Sequence, residues 1–239
     1  MRDRRYGQFC GLARAAEVLG QRWTLLILRD LLVGPRRFSD LEAGLPGIPT
    51  SVLATRLKEL ERDGLIERSL RTGSDRSVVY QVTERGQELR PALEALSRWG
   101  AATMTTPHEG EVITQASLVS ALRAAARDHA NRPSARAVYQ IEAADAVAHA
   151  TVDEHDITVE PGPHPKPDLT IVAGPRYRDL LAGTIAPADA VATGAAELHG
   201  NSARLDDFTR TFQVPYSPTL TDPPAGVAAS PGTNQGDRS

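Results

Sequence analysis

The chain lacks the cysteines and long apolar runs that disulfide-bonded, membrane-spanning and secreted proteins require. Cys10 is the single cysteine among 239 residues, so no disulfide can form within the chain. No apolar run approaches the roughly 20 residues that cross a bilayer, and no apolar stretch follows the basic N-terminus to make a secretory signal. We therefore predict a cytoplasmic protein that has no disulfide framework and no membrane contact.

Patterns that mark enzymes and metal sites are also missing from the sequence. All six histidines lie beyond residue 107, and none has a cysteine or carboxylate partner at a recognised metal-ligand spacing. No glycine-rich phosphate loop follows a predicted strand, and no G-x-S-x-G nucleophile turn occurs. We predict a non-enzyme with no catalytic residue, no metal and no cofactor. His149 and His155 flank an expected turn, and we interpret both as solvated.

Charge is distributed unevenly between the two halves of the chain. Residues 1–100 hold 17 Lys and Arg against 13 Asp and Glu, a net of +4, whereas residues 101–239 hold 10 against 17, a net of −7. The basic half is suited to a polyanion, and the acidic half should stay clear of it. The length predicts two domains, and 41% hydrophobic with 24% charged residues is typical of globular proteins.

The most informative pattern is an amphipathic segment at residues 50–63. Leu53, Leu57 and Leu60 recur at i, i+4 and i+7 and therefore share one side of a helix. At about 100° per residue, the opposite side carries small hydroxyls and cations, namely Ser51, Thr55, Lys58 and Arg62. This arrangement suits a recognition helix in the DNA major groove, where polar side chains reach base edges and cations meet phosphates. Taken alone, it also fits an ordinary amphipathic surface helix.

The residues that follow favour the nucleic-acid interpretation. Gly64 is placed for a left-handed helix end, and the β-branched segments 65–68 and 77–82 predict two short strands. The turn between these strands carries two arginines, and Thr83 is placed to cap a helix over Glu84–Trp99. A helix followed by a hairpin with a basic tip is the layout of a winged helix.

Three more helices are predicted upstream of the recognition helix. They cover residues 12–19, the strongly apolar stretch 23–33, and a short segment capped by Ser39 or Asp40. Residues 45–47, Leu-Pro-Gly, form the turn into the recognition helix and complete a helix-turn-helix.

The order of several spaced segments is specific enough to indicate a family. These segments are Trp23–Leu32, Gly34–Leu41, Leu45–Ile48, Leu53–Leu60, Asp63–Ile66, Tyr80–Gly86 and Trp99-Gly100. They resemble the HxlR-type winged-helix transcription regulators over roughly residues 10–100. The resemblance implies a bacterial homodimer, interpreted as a repressor, that binds a palindromic operator in double-stranded DNA. Its dimer contacts come from the N-terminal segment and the helix after the wing. Many members carry prolines in the wing where this chain has Gly73-Ser74-Asp75-Arg76.

In this interpretation the DNA contacts come from three groups of residues. Base or phosphate contacts are assigned to Thr50, Ser51, Thr55 and Lys58, phosphate contacts to Arg37, Arg56 and Arg62, and wing contacts to Arg71, Ser74 and Arg76. The two recognition helices of a dimer would lie about one helical turn apart, roughly 34 Å.

Cys10 and the two tryptophans lie outside these groups. A lone cysteine is often a small buried hydrophobe, but some HxlR-type regulators place one near the N-terminus, where oxidants or electrophiles modify it. Cys10 is therefore a possible redox sensor, and nearby arginines such as Arg14 would lower its pKa. Trp23 and Trp99 have apolar neighbours and are candidates for the core or the dimer interface.

The second half of the chain predicts an α+β domain. A helix over 116–126, with Leu118, Val119 and Leu122 as its apolar stripe, precedes an antiparallel meander and a proline-dense loop at 161–167. The expected strands are 137–141, 146–152, 156–160, 168–173 and 197–200, and the later helices are 177–182, 187–193 and 204–212.

This order of elements also resembles a known domain. The matching segments are Pro167–Ile171, Leu180–Ile185, Ala188–Gly194 and Leu198–Asn201, and they are similar to the sterol carrier protein-like domain. The resemblance implies binding of an apolar small molecule or lipid between sheet and helices, with a purely structural or dimerisation role as the alternative. The whole chain is thus predicted as α+β. Its expected parts are a winged helix-turn-helix domain (1–104), a linker (105–111), a sterol-carrier-like domain (112–214) and a disordered tail (215–239).

Three functions remain open from the sequence. A sequence-specific DNA-binding transcriptional regulator explains the polar helix face together with the arginine-bearing wing, and it is the leading hypothesis. A lipid or small-molecule carrier would take up apolar ligands without specific DNA binding. An interaction protein would use the winged helix to dock a protein partner.

Overall fold

Helices dominate the N-terminal half, and a mixed sheet dominates the C-terminal half. The computed structural model describes residues 5–70, 77–104, 108–126 and 135–215. The N-terminal elements are α1 (Gly11–Leu19), α2 (Thr24–Val33), α3 (Phe38–Gly44), α4 (Thr50–Arg62), β1 (Ile66–Leu70), β2 (Val78–Val82), α5 (Glu84–Gln87) and α6 (Arg90–Ala101). The C-terminal elements are α7 (Gln115–Ala125), β3 (Ala137–Ala143), β4 (Ala146–Val152), β5 (Ile157–Pro161), β6 (Leu169–Ala173), α8 (Tyr177–Leu181), β7 (Ala196–Gly200) and α9 (Leu205–Thr211).

Helix α2 forms the centre of the N-terminal half, as its composition predicts. Ile27, Leu28 and Leu31 are fully buried and belong to one apolar cluster with the inward-facing leucines of α3 and α4. Burying each such side chain contributes roughly 1.5–3 kcal/mol relative to leaving it exposed. Leu25 and Leu26 of the same helix remain exposed, so one side of α2 is left uncovered in the described chain.

The start of α3 differs from the predicted cap. The helix begins at Phe38, and Arg37 takes the N-cap position with an extended backbone. Asp40 lies in the first turn, where its Oδ2 accepts a hydrogen bond from the backbone N–H of Arg37 at 3.0 Å. The prediction that Ser39 or Asp40 occupies the N-cap position is therefore wrong. Asp40 instead accepts the otherwise unpaired N–H of Arg37 from within the first turn of the helix.

The predicted single helix over Glu84–Trp99 is wrong, because the chain forms two helices. Thr83 caps α5 as expected, since its Oγ1 accepts from the N–H of Gly86 at 3.2 Å. Helix α5 ends at Gln87, and α6 begins at Arg90 with Pro91 in its first turn. A proline ring clashes with the carbonyl four residues earlier, here that of Gln87, and therefore starts a helix more readily than it continues one.

The C-terminal sheet has the order β5-β4-β3-β6-β7. Strands β3, β4 and β5 form the predicted antiparallel meander, whereas β6 pairs parallel to β3 and antiparallel to β7. The helices pack on one face of this sheet, over the small side chains of β4. The ring of Phe208 in α9 contacts Tyr139 of β3 and Phe212 at the end of α9. The helix predicted at 187–193 is wrong, since only Pro187–Asp189 forms a short 3-10 turn.

The proline-dense loop between β5 and β6 explains a second correction, at His149. To reach β6 from the edge strand β5, residues 162–168 must pass β4 and β3. His149 accepts or donates a hydrogen bond through Nδ1 with Gly162 O at 2.9 Å, and the backbone N–H of His164 donates to Gln140 Oε1 at 3.0 Å. The side chain of His149 is only 12% exposed, so the prediction that it is solvated is wrong, whereas His155 is exposed as expected.

Helix α7 joins the two halves by packing against α2 and α6 on one side and β4 and β5 on the other. Arg123 of α7 donates to the carbonyl of Leu32 at 3.0 Å and to that of Val159 at 2.8 Å. Val33, at the end of α2, packs against the apolar cluster of the C-terminal half. Within the described ranges, no helix is long and apolar enough to cross a membrane.

Candidate nucleic-acid interface

Helix α4 separates its side chains as the sequence predicts. Leu53, Leu57 and Leu60 are 0%, 1% and 2% exposed and anchor the helix in the N-terminal apolar cluster. The opposite face is open to solvent and carries Ser51, Thr55, Lys58 and Arg62. The helix therefore presents hydroxyls and cations outward while its leucines fix its position on the body of the protein.

The end of α4 is sharply defined by Gly64. Its φ of 71° is left-handed, a conformation that glycine adopts without the steric cost borne by other residues. The N–H of Gly64 donates to Glu61 O at 3.1 Å, and that of Leu65 donates to Leu60 O at 3.0 Å, which is the Schellman arrangement. Leu65 and Ile66 are buried directly afterwards, so this helix end directs the chain into β1.

The hydroxyl groups at the N-terminal end of α4 have partners within the protein. Thr50 Oγ1 donates to Glu42 Oε1 of α3 at 2.5 Å, and Thr55 Oγ1 donates to the carbonyl of Ser51 at 2.8 Å. Glu42 is not among the residues predicted from the sequence to meet DNA. Its only signal there was its position in the last turn before Leu45-Pro46-Gly47, which brings it beside the first residue of α4.

Six positive side chains were predicted to meet DNA, and the four that lie in the described residues differ in their surroundings. Lys58 is exposed and forms no ion pair with any residue in the described ranges. Arg62 is half exposed and bound to Asp63, whose carboxylate raises the pKa of the guanidinium. Arg56 is mostly covered and lies 2.5 Å from Glu59, so its charge is already partly compensated, and Arg37 is half-buried before α3.

The base of the wing is a small sheet beside α4. Strands β1 and β2 pair antiparallel with Ile66 opposite Val82, and Arg36 forms a backbone bridge with Tyr80 through hydrogen bonds of 3.0 and 2.8 Å. Arg68 Nε of β1 donates to Glu61 Oε1 at 2.9 Å and so ties the wing to α4. The predicted wing residues Arg71, Ser74 and Arg76 lie outside the described residues.

This N-terminal half matches known regulators. The family model of the HxlR-like helix-turn-helix matches residues 18–108. The HTH-type transcriptional regulator YvaP of Bacillus subtilis is 40% identical over 86 residues, which are 36% of this chain and 80% of the relative. The regulator sll1512 of Synechocystis is 36% identical over 95 residues, 40% of this chain and 70% of the relative. The chain belongs to the HxlR-like helix-turn-helix family. Membership makes it a helix-turn-helix transcriptional regulator.

Solved structures with similarity to this HxlR regulator cover only part of the chain. A transcriptional regulator of the MarR family from Enterococcus faecalis has 34% identity and a TM-score of 0.34, over 37% of this chain and 81% of that chain. The family model ends at residue 108, so it describes the N-terminal half and not the C-terminal half.

Large apolar side chains on or beside three helices of the HxlR regulator are exposed in the described part of the chain. Helix α6 is strongly amphipathic yet has no buried residue, and its Leu96 and Trp99 are exposed. Phe9 and Leu12 near the start of α1 are exposed as well, as are Leu25 and Leu26 of α2. Of the two tryptophans, Trp23 packs partly against the N-terminal cluster, whereas Trp99 is 78% exposed and lies outside the core.

Cys10 precedes the first turn of α1 and is exposed. Hydrogen bonds from the backbone of Ala13 and Leu12 lower the pKa of its thiol. Nearby arginines were expected to cause such a shift, but Arg14 pairs with Glu17 at 3.0 Å, and the backbone N–H groups at the helix start lower the pKa instead.

The C-terminal half of the HxlR regulator has a filled core and a surface depression. Tyr139, Phe208 and Phe212 occupy the space between sheet and helices, with ring centroids 5.2 and 4.8 Å apart. Burial raises the pKa of Tyr139 to about 12, so this phenol is neutral. A depression of about 260 Å³ lies outside this core. It is lined by Leu180, Leu181, Gly183, Ile185, Ala186, Pro187, Asp206, Thr209, Arg210 and Gln213. No described group of His, Cys, Asp and Glu is arranged to hold a metal.

Proposed function

We propose that this regulator binds a palindromic operator as a homodimer, with α4 in the major groove, and acts as a repressor. The observation that carries the proposal is the separation of α4 into a buried leucine face and an exposed face of hydroxyls and cations. Short polar side chains reach base edges and cations meet phosphates when such a helix lies in the groove.

Within this proposal the contacts divide by chemistry. Thr50, Ser51, Thr55 and Lys58 approach bases or nearby phosphates, Arg37, Arg56 and Arg62 approach phosphates, and Arg71, Ser74 and Arg76 serve the wing. Arg56 and Arg62 are both paired with a carboxylate, but the side chain of Arg56 is 15% exposed and that of Arg62 is 49% exposed, so Arg56 should contribute less to phosphate binding than Arg62. Lys58 has no such competitor in the described chain and should contribute most among the cations of α4.

Two arginines provide a matched test of the phosphate contacts. Arg62 pairs with Asp63 and is 49% exposed, and Arg176, far along the chain in the C-terminal half, pairs with Asp179 and is 53% exposed. Duplexes selected from a random pool serve as the operator. Arg62→Ala should weaken binding to all duplexes alike and lower the salt slope by about one, while Arg176→Ala should leave both unchanged. Equal affinity of the wild type for selected and random duplexes would overturn the proposal.

The dimer is supported by the exposed apolar side chains of α1, α2 and α6. An amphipathic helix with no buried residue needs a partner, and a second copy supplies the same surface by twofold symmetry. With two recognition helices about 34 Å apart, such a dimer meets two half-sites on one side of the duplex.

For residues 112–214 we propose a sterol-carrier-like domain that controls DNA binding through an apolar ligand, with residues 1–104 as the DNA-binding domain. The mixed sheet with helices on one face supports this arrangement, and the depression beside α8 and α9 offers an apolar surface. A ligand shifts the regulator only if it binds the competent and incompetent states with different affinities. Operator titrations with and without a long-chain fatty acid test the proposal. An unchanged affinity despite measurable fatty-acid binding reduces this half to a structural role.

A second proposal concerns Cys10 as a redox sensor. Its exposure and lowered pKa favour the thiolate, the form that reacts with oxidants and electrophiles. Diamide oxidises two thiols to one disulfide and is itself reduced to the hydrazine, and because each chain has a single cysteine the bond would join Cys10 of two copies. This oxidation should release the wild type from its operator and leave Cys10→Ser bound. Equal release of both proteins removes the sensor.

A further inference from the structure

The hydroxyl protons on the recognition helix are largely engaged inside the protein. Thr50 Oγ1 gives its proton to Glu42 Oε1, and Thr55 Oγ1 gives its proton to the carbonyl of Ser51. A hydroxyl has one proton and two lone pairs, so each threonine can only accept further hydrogen bonds. The side chains of Ser51 and Lys58 can still donate on the same face, since neither side chain donates a hydrogen bond to a described side chain or carbonyl.

Glu42 extends this acceptor character beyond α4. It is an exposed carboxylate in α3, held against the first residue of the recognition helix by the bond from Thr50. One carboxylate oxygen receives that proton, and the other remains open to accept another bond. The recognition surface therefore carries the carboxylate of Glu42 and the hydroxyl oxygens of Thr50 and Thr55 as acceptors.

A carboxylate at this place is selective about what it can approach. Phosphate oxygens and the acceptor atoms of guanine O6 and thymine O4 repel it, whereas the exocyclic amino groups of cytosine and adenine offer protons in the major groove. Glutamate accepts best from cytosine N4 among the bases. We propose that Glu42 is a specificity-determining residue that selects cytosine at one position of each half-site, with the acceptor oxygen of Thr50 beside it. The inference rests on the proposed placement of α4 in the major groove.

Glu42 also has a plain structural alternative. Pro49 precedes α4 and offers no side-chain cap, so a carboxylate beside Thr50 stabilises the positive end of the helix dipole. In that role the substitution of Glu42 would weaken binding to every duplex equally. A readout of base preference separates this role from selection of a base.

The experiment is selection of duplexes from a random pool by the full chain and its variants. The wild type should enrich cytosine at one position per half-site. Glu42→Ala should lose roughly tenfold or more in discrimination at that position alone. Glu42→Gln should move the preference toward adenine, because an amide both donates and accepts as adenine N7 and N6 require. Glu88→Gln, an exposed change between α5 and α6, is the control and should leave the selected sequence unchanged.

A base analogue completes the test. In the selected duplex, the cytosine is replaced by pyrimidin-2-one, which lacks the 4-amino group. Replacing the cytosine should weaken binding of the wild type by the same factor as the substitution Glu42→Ala weakens binding to the unmodified duplex. The Glu42→Ala protein should bind the modified and unmodified duplexes equally. An unchanged preference in both Glu42 variants, or an equal loss on all duplexes, overturns the inference and leaves the proposed function standing. A wild type without any sequence preference instead removes the proposed function itself.

Discussion

Asp30 is a buried carboxylate at the point where α2 meets the end of α3. It is 2% exposed, and its Oδ1 accepts from Arg29 Nε at 2.8 Å. A side chain on Gly44 would place its Cβ 2.9 Å from Oδ2, so the two helices approach closely around this group. Burial raises the pKa of Asp30, and the charges of Arg29 and Arg36 offset only part of that effect.

The raised pKa of Asp30 predicts a definite dependence of stability on pH. The native state holds this proton more tightly than the unfolded chain, where the pKa of Asp is about 3.9. Its contribution to the free energy of unfolding is therefore largest below that value and falls as pH rises toward the native pKa. The free energy of unfolding of the wild type minus that of Asp30→Asn should be larger at pH 4 than at pH 7. Urea unfolding of both proteins at a series of pH values measures this difference.

The exposed change Asp206→Asn serves as the control for this measurement. It should shift stability little and should not reproduce the dependence seen for Asp30→Asn. A stability difference between wild type and Asp30→Asn that stays constant from pH 4 to pH 7 contradicts the argument.

Single residues show which parts of the site a sequence can reveal. Ser51, Thr55, Lys58 and Arg62 were placed on the open face of α4 from spacing alone, because helical periodicity depends only on the local chain. Glu42 was missed because its contact with Thr50 depends on how the turn between two helices folds. His149 was misassigned for a similar reason, since a loop more than ten residues away in sequence covers it.

At the scale of elements, α4 depends on its leucines. Leu57 is at the middle of the buried face and 1% exposed. Leu57→Ala removes this packing and leaves a cavity, which should lower the free energy of unfolding by about 2–5 kcal/mol. Ser51→Ala, on the open face of the same helix, should change it by less than about 0.5 kcal/mol. Chemical unfolding of both variants measures the difference, and similar losses would contradict the assigned faces.

The elements that the sequence predicted well are those with a strong local signal. The leucine repeat, Gly64 and Thr83 define α4, its end and the cap of α5, and all three are present as expected. The failed predictions are short segments with weak periodicity. Pro91 carried a signal for a new helix start that the apolar pattern over 84–99 obscured. The parallel pairing of β6 with β3 joins residues far apart in sequence, so no local pattern predicts it.

Arg123 is one of the side chains that link the two halves of the molecule. Its guanidinium donates to Leu32 O of α2 and to Val159 O of β5, and the carbonyl of Leu32 also accepts from Arg90. Burial and the nearby charge of Arg90 lower the pKa of Arg123, and the group still remains a cation. Both of its bonds leave from one planar group, so a single side chain holds a helix end and a strand together.

Arg123→Met keeps much of the stem and removes both hydrogen bonds. Bonds from a charged donor contribute about 1.5–3 kcal/mol, so the variant should be destabilised by an amount of that order. Urea unfolding followed by tryptophan fluorescence measures it, because both tryptophans lie in the N-terminal half. Arg176→Met, at an exposed pair, is the control. Equal stability of the two variants would show that the contact is unimportant.

At the scale of the whole molecule, charge and packing agree on which side faces DNA. The N-terminal half is net basic and the C-terminal half net acidic. The C-terminal half attaches through α7 to α2 and α6, whereas α4 packs into the N-terminal apolar cluster and against β1 at the base of the wing. The acidic half is therefore joined to the body through helices other than the recognition helix, which suits a protein that approaches phosphates with only one of its surfaces.

The same attachment leaves the exposed side of α6 available to a second copy. Trp99 is 78% exposed on a helix with no buried residue, so its indole is the largest apolar group of that surface. A charge at this position would have to be desolvated in a dimer, so Trp99→Glu should favour the monomer. Sedimentation equilibrium should show a dimer for the wild type and a monomer for the variant at the same concentration.

Operator binding should fall together with dimerisation in Trp99→Glu, even though the substitution leaves α4 intact. Two linked recognition helices bind two half-sites with a high effective concentration for the second contact, and a monomer loses that advantage. Val191→Glu places the same charge on an exposed apolar residue of the C-terminal half and should change neither property. If Trp99→Glu sediments as the wild type does and binds the operator as tightly, the exposed side of α6 is not the dimer interface.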